Sequence, residues 1–315
     1  MSSIMNNISD NSNRFVENNY FYKYGILSLE HLTTLQEDID KLKRANVLSD
    51  NENFQNSMRK RKFAKPPDFQ EAKYLIILAR SRKLGLINFH YMGKKYEIKV
   101  PPDFHDDGFS NEDERKAIFK YIIKEPGYKI VETDDIHLKL TAVRSGLAKY
   151  GRNNISYIDG MGSFLTLSAY FTDYDFKNNS ISEITMMDRC QSCNICMNKC
   201  PTKAIRKDHF VIDAGKCITE FNEHKGEFPE WLDKKFHNAI EGCLYCQLYC
   251  PENIEAKKDI VELEDITEEE TKALLDGSEK SELLHSLIKK LKMFDIEDAK
   301  EELPKIKRNL EVLIK

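Results

Sequence analysis

From residue 28 to about 45 the apolar positions Leu29, Leu32, Leu35, Ile39 and Leu42 recur at the spacing of one helix face, which predicts an amphipathic helix. The Asn- and Ser-rich residues before it, 1–19, read as a frayed lead-in. Residues 49–70 read as a connection that ends in the basic run Arg59-Lys60-Arg61-Lys62 and the pair Pro66-Pro67. That run is read as a solvated charged face, with phosphate contact as the alternative. The pattern then becomes strand-like. Tyr74-Leu75-Ile76-Ile77-Leu78 is a continuous apolar run, as in a buried strand, and 86–91 with 96–100 flank Gly93 as a hairpin. Beyond Pro101-Pro102, Ser110 opens a predicted helix to Lys124, closed by Pro126-Gly127. A strand near 128–131 and a helix over 134–147 follow. After Glu262, the clusters Leu274-Leu275, Leu283-Leu284 and Leu287-Ile288 mark amphipathic helices, the last of them over 299–314.

These textures divide the chain into an N-terminal helical lead-in (1–60), an α/β domain (61–180), a cysteine-rich segment (181–260) and a C-terminal helical cap (261–315). The fold class expected is α+β. A hydrophobic content of 41% with 17 Phe and 14 Tyr is enough for a real core. The net charge of −4 gives no global basic footprint for nucleic acid. No apolar run approaches a membrane span, and no signal-peptide core or twin-arginine signal opens the chain, so a cytoplasmic protein is expected.

All eight cysteines lie between Cys190 and Cys250. The first run is C-x2-C-x2-C-x3-C-P (Cys190, Cys193, Cys196, Cys200, Pro201), the bacterial ferredoxin signature, whose fourth cysteine serves a second cluster. The second run is C-x2-C-x3-C-P (Cys243, Cys246, Cys250, Pro251), with Ile240 where a fourth cysteine would complete the repeat. Two cubanes need eight thiolates, and the lone Cys217 makes up the number. The crossing-over then pairs Cys190, Cys193 and Cys196 with Cys250, and groups Cys200, Cys217, Cys243 and Cys246. Zinc is the alternative from C-x2-C pairs, but it does not call for a four-cysteine run closed by proline. Four disulfides would demand an oxidising compartment.

The segment upstream adds a resemblance. Ser145-Gly146-Leu147-Ala148-Lys149-Tyr150-Gly151-Arg152-Asn153-Asn154 resembles the A-G-L-G-W-x-G-K-N-T stretch of epoxyqueuosine reductases, and Gly162-Ser163-Phe164 with Phe171-Thr172-Asp173 resembles their G-S-F/W…L-T-D element. The cluster segment is similar over Cys190-Gln191-Ser192-Cys193, Cys200-Pro201-Thr202-Lys203-Ala204-Ile205, Cys217-Ile218-Thr219 and Gly242-Cys243-Leu244-Tyr245-Cys246-Gln247-Leu248. The likeness covers about 128–255. Lys149-Tyr150 departs from the family's Trp-x, and the N-terminal third carries no Asp-Tyr-His element.

The resemblance, which extends to reductive dehalogenases, implies a nitroreductase-like α/β domain holding base-off cobalamin, followed by a ferredoxin-like domain with two [4Fe-4S] clusters. It implies low-potential electrons passing through the clusters to the cobalamin, for reductive removal of oxygen or halogen from a substrate. It further implies a ferredoxin or flavodoxin as electron donor, and a small molecule or modified nucleoside, with tRNA its possible carrier, as substrate. The positions it assigns to cobalamin are Asn153, Ser156, Gly162, Ser163, Leu167, Glu223 and Leu244. Counting fourteen residues back from Gly146 places the proton donor at Glu132, with Asp134 and Asp135 beside it; Asp134 also reads as a helix cap. The competing reading is a non-enzymatic electron-transfer protein whose α/β domain docks another protein.

Overall fold

The computed structural model describes residues 13–105, 108, 110–278, 281–295 and 297–314. The first part of the expected lead-in lies outside them. Its remainder is not frayed. β1 (Arg14–Glu17) and β2 (Tyr20–Ser28) form an antiparallel hairpin whose second strand pairs along its length with a central strand. Leu27 and Tyr22 of β2 are fully buried, so this segment belongs to the core. The predicted helix follows as α1 (Leu32–Arg44), and a second, α2 (Glu52–Lys60), lies within the expected connection.

The apolar run from Tyr74 is β3 (Tyr74–Ser81), with all but its last residue buried. The hairpin is β4 (Leu84–Tyr91) and β5 (Lys94–Val100). Next come α3 (Asn111–Ile118), capped reciprocally by Ser110 and Asp113, then β6 (Ile130–Thr133) and α4 (Leu138–Arg144). The two short strands β7 (Lys149–Tyr150) and β8 (Ser156–Tyr157) bracket a turn. A strand absent from the sequence reading follows, β9 (Leu165–Thr172). The sheet order is β1-β2-β3-β9-β6, with β3 and β9 paired antiparallel over eight residues. Alternate residues serve its two faces. Leu75, Ile77, Ala169 and Phe171 pack toward α1 and α4, while Ile76, Leu78 and Tyr170 pack toward α3.

The cluster segment holds only the short helices α5 (Ile195–Lys199), α6 (Ile218–Glu223) and α7 (Tyr245–Leu248). The chain then returns: β10 (Ile260–Glu262) pairs parallel with β4, forming a second sheet. The helices α8 (Glu268–Asp276), α9 (Ser281–Leu291) and α10 (Ala299–Leu313) bury Leu274, Leu287 and Ile306 against Ile87, Phe89 and Ile98 of the hairpin. Among the described residues no helix is long and apolar enough to cross a membrane.

Candidate functional site

The eight cysteines are all free thiols. A small cavity is walled by Cys190, Cys193, Cys196 and Cys250 together. Burial, then the nearby Cys190, pushes the Cys196 thiol up to about 11. Around the remaining four, burial and then Cys217 push Cys243 up to about 12, with Cys200 also close. Burial, then Cys243 and Cys217, raise Cys246 well above the usual thiol range. Cys190, Cys193, Cys196 and Cys250 thus wall one cavity, while Cys200, Cys217, Cys243 and Cys246 lie near one another, with Cys196 also close to Cys246. Among the described residues no three His, Cys, Asp or Glu side chains close around a single ion. Buried thiols of this kind give up their protons to a metal rather than to water. Asn238 donates a hydrogen bond to Cys243 Sγ at 3.3 Å, and Tyr157 hydrogen-bonds Cys250. Bonds of this kind set cluster potential.

A cavity of about 550 Å³ lies between the α1 and α4 side of the main sheet and the cysteine segment. That size suits a small-molecule site. Its floor is Leu165 and Leu167 of β9, Met58 and Phe54 of α2 form one wall, and Gln247, next to Cys246, closes the cluster side. Its neutral polar groups include Asn154, Ser156 and Ser163. The Ser156 hydroxyl is buried and has no hydrogen-bond partner among the described residues, so it stands ready for a ligand. Lys139 donates to the Asn154 carbonyl and side-chain oxygen, both at 3.1 Å, and burial lowers its pKa. His137 caps α4, and burial, then Lys139, hold its imidazole down at about 4, so it is neutral at pH 7.

Among the described residues one carboxyl faces this cavity, that of Asp103. It sits in the turn after β5, where the Thr166 hydroxyl donates to it at 2.9 Å. The residue is exposed toward the open space of the cavity, and the protein packed around that space desolvates its carboxyl. Burial raises its pKa above the ordinary carboxyl value, outweighing Thr166, Arg82 and Arg80, which pull the other way.

Of the residues assigned to cobalamin by resemblance, Ser156, Ser163 and Leu167 line the cavity. Asn153 lies just behind, donating to Tyr157 Oη at 2.9 Å and to the Cys246 carbonyl at 3.5 Å. Leu244 is fully buried beside Phe164. Glu223 lies beyond the turn of Asp103, where burial and then Glu241 push its pKa up to about 7. Glu132 is placed elsewhere. It pairs with Tyr170 in the β6–β9 ladder, and directly paired residues share a face. That is the α3 face, opposite the cavity. Burial and then Glu114 raise its pKa there. Asp134 and Asp135 are exposed, their carbonyls accepting from the Arg61 side chain and from the Lys62 amide at 2.8 Å. Asp103 was missed because only the folded chain shows what a turn carboxyl faces.

Gly162 has a structural role. Its φ is +69°, and a Cβ there would overlap the Asn253 side chain and come within 2.8 Å of the Glu252 carbonyl. The fully buried Asn253 accepts from the Ser163 amide and donates to its hydroxyl, both at 2.8 Å, tying the cavity wall to the segment after Cys250. Gly162→Ala is expected to destabilise the protein by about 1–3 kcal/mol, read as an earlier denaturation midpoint. An unchanged midpoint would show that this contact yields freely.

Residues 189–253 match a 4Fe-4S double cluster binding domain. Over 194 residues the chain is 30% identical to the epoxyqueuosine reductase of Leadbetterella byssophila, covering 60% of this chain and 61% of that one. Over 128 residues it is 32% identical to that of Cellulophaga algicola, covering 40% of each. The alignments thus span less than two thirds of these relatives. Among solved structures, epoxyqueuosine reductase from Bacillus subtilis superposes with a TM-score of 0.63 at 17% identity, over 93% of this chain and 77% of that one. An epoxyqueuosine reductase bound to an epoxyqueuosine-modified tRNA-Tyr stem loop gives 0.59, also at 17%, over 93% and 76%. Fold and cysteine pattern together define a double-cluster iron–sulfur protein with a cavity between its sheet and its clusters. The chain is similar in sequence to epoxyqueuosine reductases over part of their length and shares the fold of those whose structures are solved.

Proposed function

We propose that this chain is an iron–sulfur reductase that uses two [4Fe-4S] clusters and a corrinoid in the 550 Å³ cavity to remove an oxygen from a modified nucleoside of the epoxyqueuosine kind. The observation that carries this reading is the cavity itself, bounded by β9 on one side and by Gln247, the neighbour of Cys246, on the other. A reductive site has to lie against its electron source, and the position of Gln247 in the cavity wall, next to Cys246, supports that reading.

The donor set suits a corrin edged with amides. Asn154, Ser156, Ser163 and Gln247 would hold its polar rim over the apolar Leu165 and Leu167. A whole corrinoid is larger than the enclosed volume, and α2, which buries no side chain fully, is the wall held least tightly. When bound, cobalamin supplies a strongly reducing cobalt centre. Asp103 holds the proton that a reduced carbon or leaving oxygen needs, and Thr166 fixes its orientation. The apolar floor keeps bulk water from competing for the reducing equivalents. Arg59, Lys60 and Lys62 stand exposed at the α2 end of the cavity, which supports a substrate carried on an RNA backbone.

The test is anaerobic reconstitution followed by EPR with added cob(II)alamin, then assay on tRNA bearing epoxyqueuosine. About eight irons per chain, a base-off cobalt signal and loss of the epoxide are expected. Eight irons with an unchanged cobalamin spectrum would leave an electron-transfer protein in place of the reductase.

A further inference from the structure

The two thiol groups are not equally placed. Cys200, Cys217 and Cys246 pack among Ala204, Ile205 and Ile212, where Cys196 of the other group also meets them, and Gln247 carries this side to the cavity wall. The cavity formed by Cys190, Cys193, Cys196 and Cys250 opens instead beside Ile195, which is 39% exposed. Tyr249 and Ile254, on either side of Cys250 in sequence, are 47% and 48% exposed. An apolar patch therefore sits over the outer group.

Glu252 and Glu255 flank Ile254, but on the side of 189–207 the surroundings are basic, in a chain whose net charge is −4. Between Asp188 and Asp208 there is no acidic residue, but there are Arg189, Lys199, Lys203, Arg206 and Lys207. Arg189 is paired with Glu252 at 2.6 Å and Arg206 with Asp208 at 3.6 Å. Lys199, Lys203 and Lys207 are exposed and form no ion pair among the described residues. Lys199 Nζ lies 4.4 Å above the Tyr249 ring, which places this charge directly at the apolar patch. The guanidinium of Arg152 joins the Lys207 carbonyl, at 2.7 Å, to that of Cys190, fixing the Lys207 loop beside the same thiol group.

We propose that the face made by Ile195, Tyr249 and the lysines 199, 203 and 207 is the docking surface for a small acidic one-electron carrier protein of the ferredoxin type. The proposal rests on the reductase reading and adds its electron entrance. A transient redox contact needs little area, an apolar centre and charge complementarity at the rim, and this surface has all three. In the step itself the reduced carrier gives up one electron, the outer cluster gains it, and no atom is transferred. Association with an acidic carrier is accelerated by the lysine rim and slowed by salt.

The experiment uses the reconstituted full chain and a purified acidic ferredoxin. Complex formation with the oxidised carrier is measured by titration, and cluster reduction by the reduced carrier is followed in stopped flow, at low and high ionic strength. In Lys199→Glu/Lys203→Glu/Lys207→Glu, both affinity and reduction rate are expected to fall about tenfold or more, with the salt dependence lost or reversed. Reduction by dithionite, which needs no docking face, stays at the wild-type rate and shows that the clusters are intact. The control Lys94→Glu/Lys95→Glu, in the β4–β5 hairpin, leaves every reading unchanged. Wild-type affinity and rate in the triple variant would overturn the docking surface alone, since intact, dithionite-reducible clusters leave the reductase standing. Absence of clusters in the wild-type chain would overturn both.

Discussion

Cys217→Ser is expected to lose the inner cluster, keep the outer one and abolish turnover. Iron should fall from about eight to about four per chain, leaving one cubane signal in EPR. Cys217 lies outside both cysteine runs, yet it is close to Cys200, Cys243 and Cys246, and burial raises its thiol well clear of spontaneous ionisation. A serine hydroxyl there is a much poorer ligand for iron and leaves three thiolates around the cubane. The loss falls on the group next to Gln247 and the cavity, so electrons reaching the outer cluster have no onward route. Cys250→Ser makes the reciprocal cut: the cubane held with Cys190, Cys193 and Cys196 should disappear and the inner one should survive. Full iron in Cys217→Ser would mean that another group completes the second site, and the assignment of the lone cysteine would fall.

The double-cluster character of 189–253 was legible from sequence because cluster ligation is local. A C-x2-C pair places two sulfurs on one turn, and the crossing-over of the fourth cysteine follows from the geometry of two adjacent cubanes. The strands β3, β4 and β5 were legible for similar reasons, through an unbroken apolar run and a hairpin around Gly93. β2 and β9 were not. Tyr20–Ser28 mixes aromatic residues with Lys23 behind an Asn-rich stretch, and its strand state comes from pairing with β3, some fifty residues away. Leu165–Thr172 is covered on both faces, so the alternation that marks a half-buried strand is weak. The cavity was less legible still. Its walls come from residues as far apart as Ile39 and Gln247, and no spacing rule joins them. Counting fourteen residues from Gly146 reaches Glu132, but a count along the chain carries no information about which face of β6 a side chain takes, and strand parity sends it away from the cavity.

That parity leads to the sharpest test of the site. Asp103→Asn is expected to lower turnover by at least about 100-fold, the usual contribution of a positioned general acid, while Glu132→Gln remains close to wild type. Cluster content and the rate of cluster reduction should be unchanged in both, because neither carboxyl borders the thiols. The pH profile adds a readout that a merely structural role would not move. Burial raises the Asp103 pKa, so its neutral, proton-carrying form persists above the ordinary carboxyl range and disappears as pH rises through the raised value. The wild-type rate should therefore decline on the alkaline side of that value, and the residual rate of Asp103→Asn should lack this limb. Loss of the Thr166 hydroxyl in Thr166→Val removes a bond that favours the charged carboxylate, so the limb should move to higher pH. If Asp103→Asn turns over normally and Glu132→Gln does not, β6 presents its other face to the substrate in the working enzyme, and the proton enters from the α3 side of the sheet.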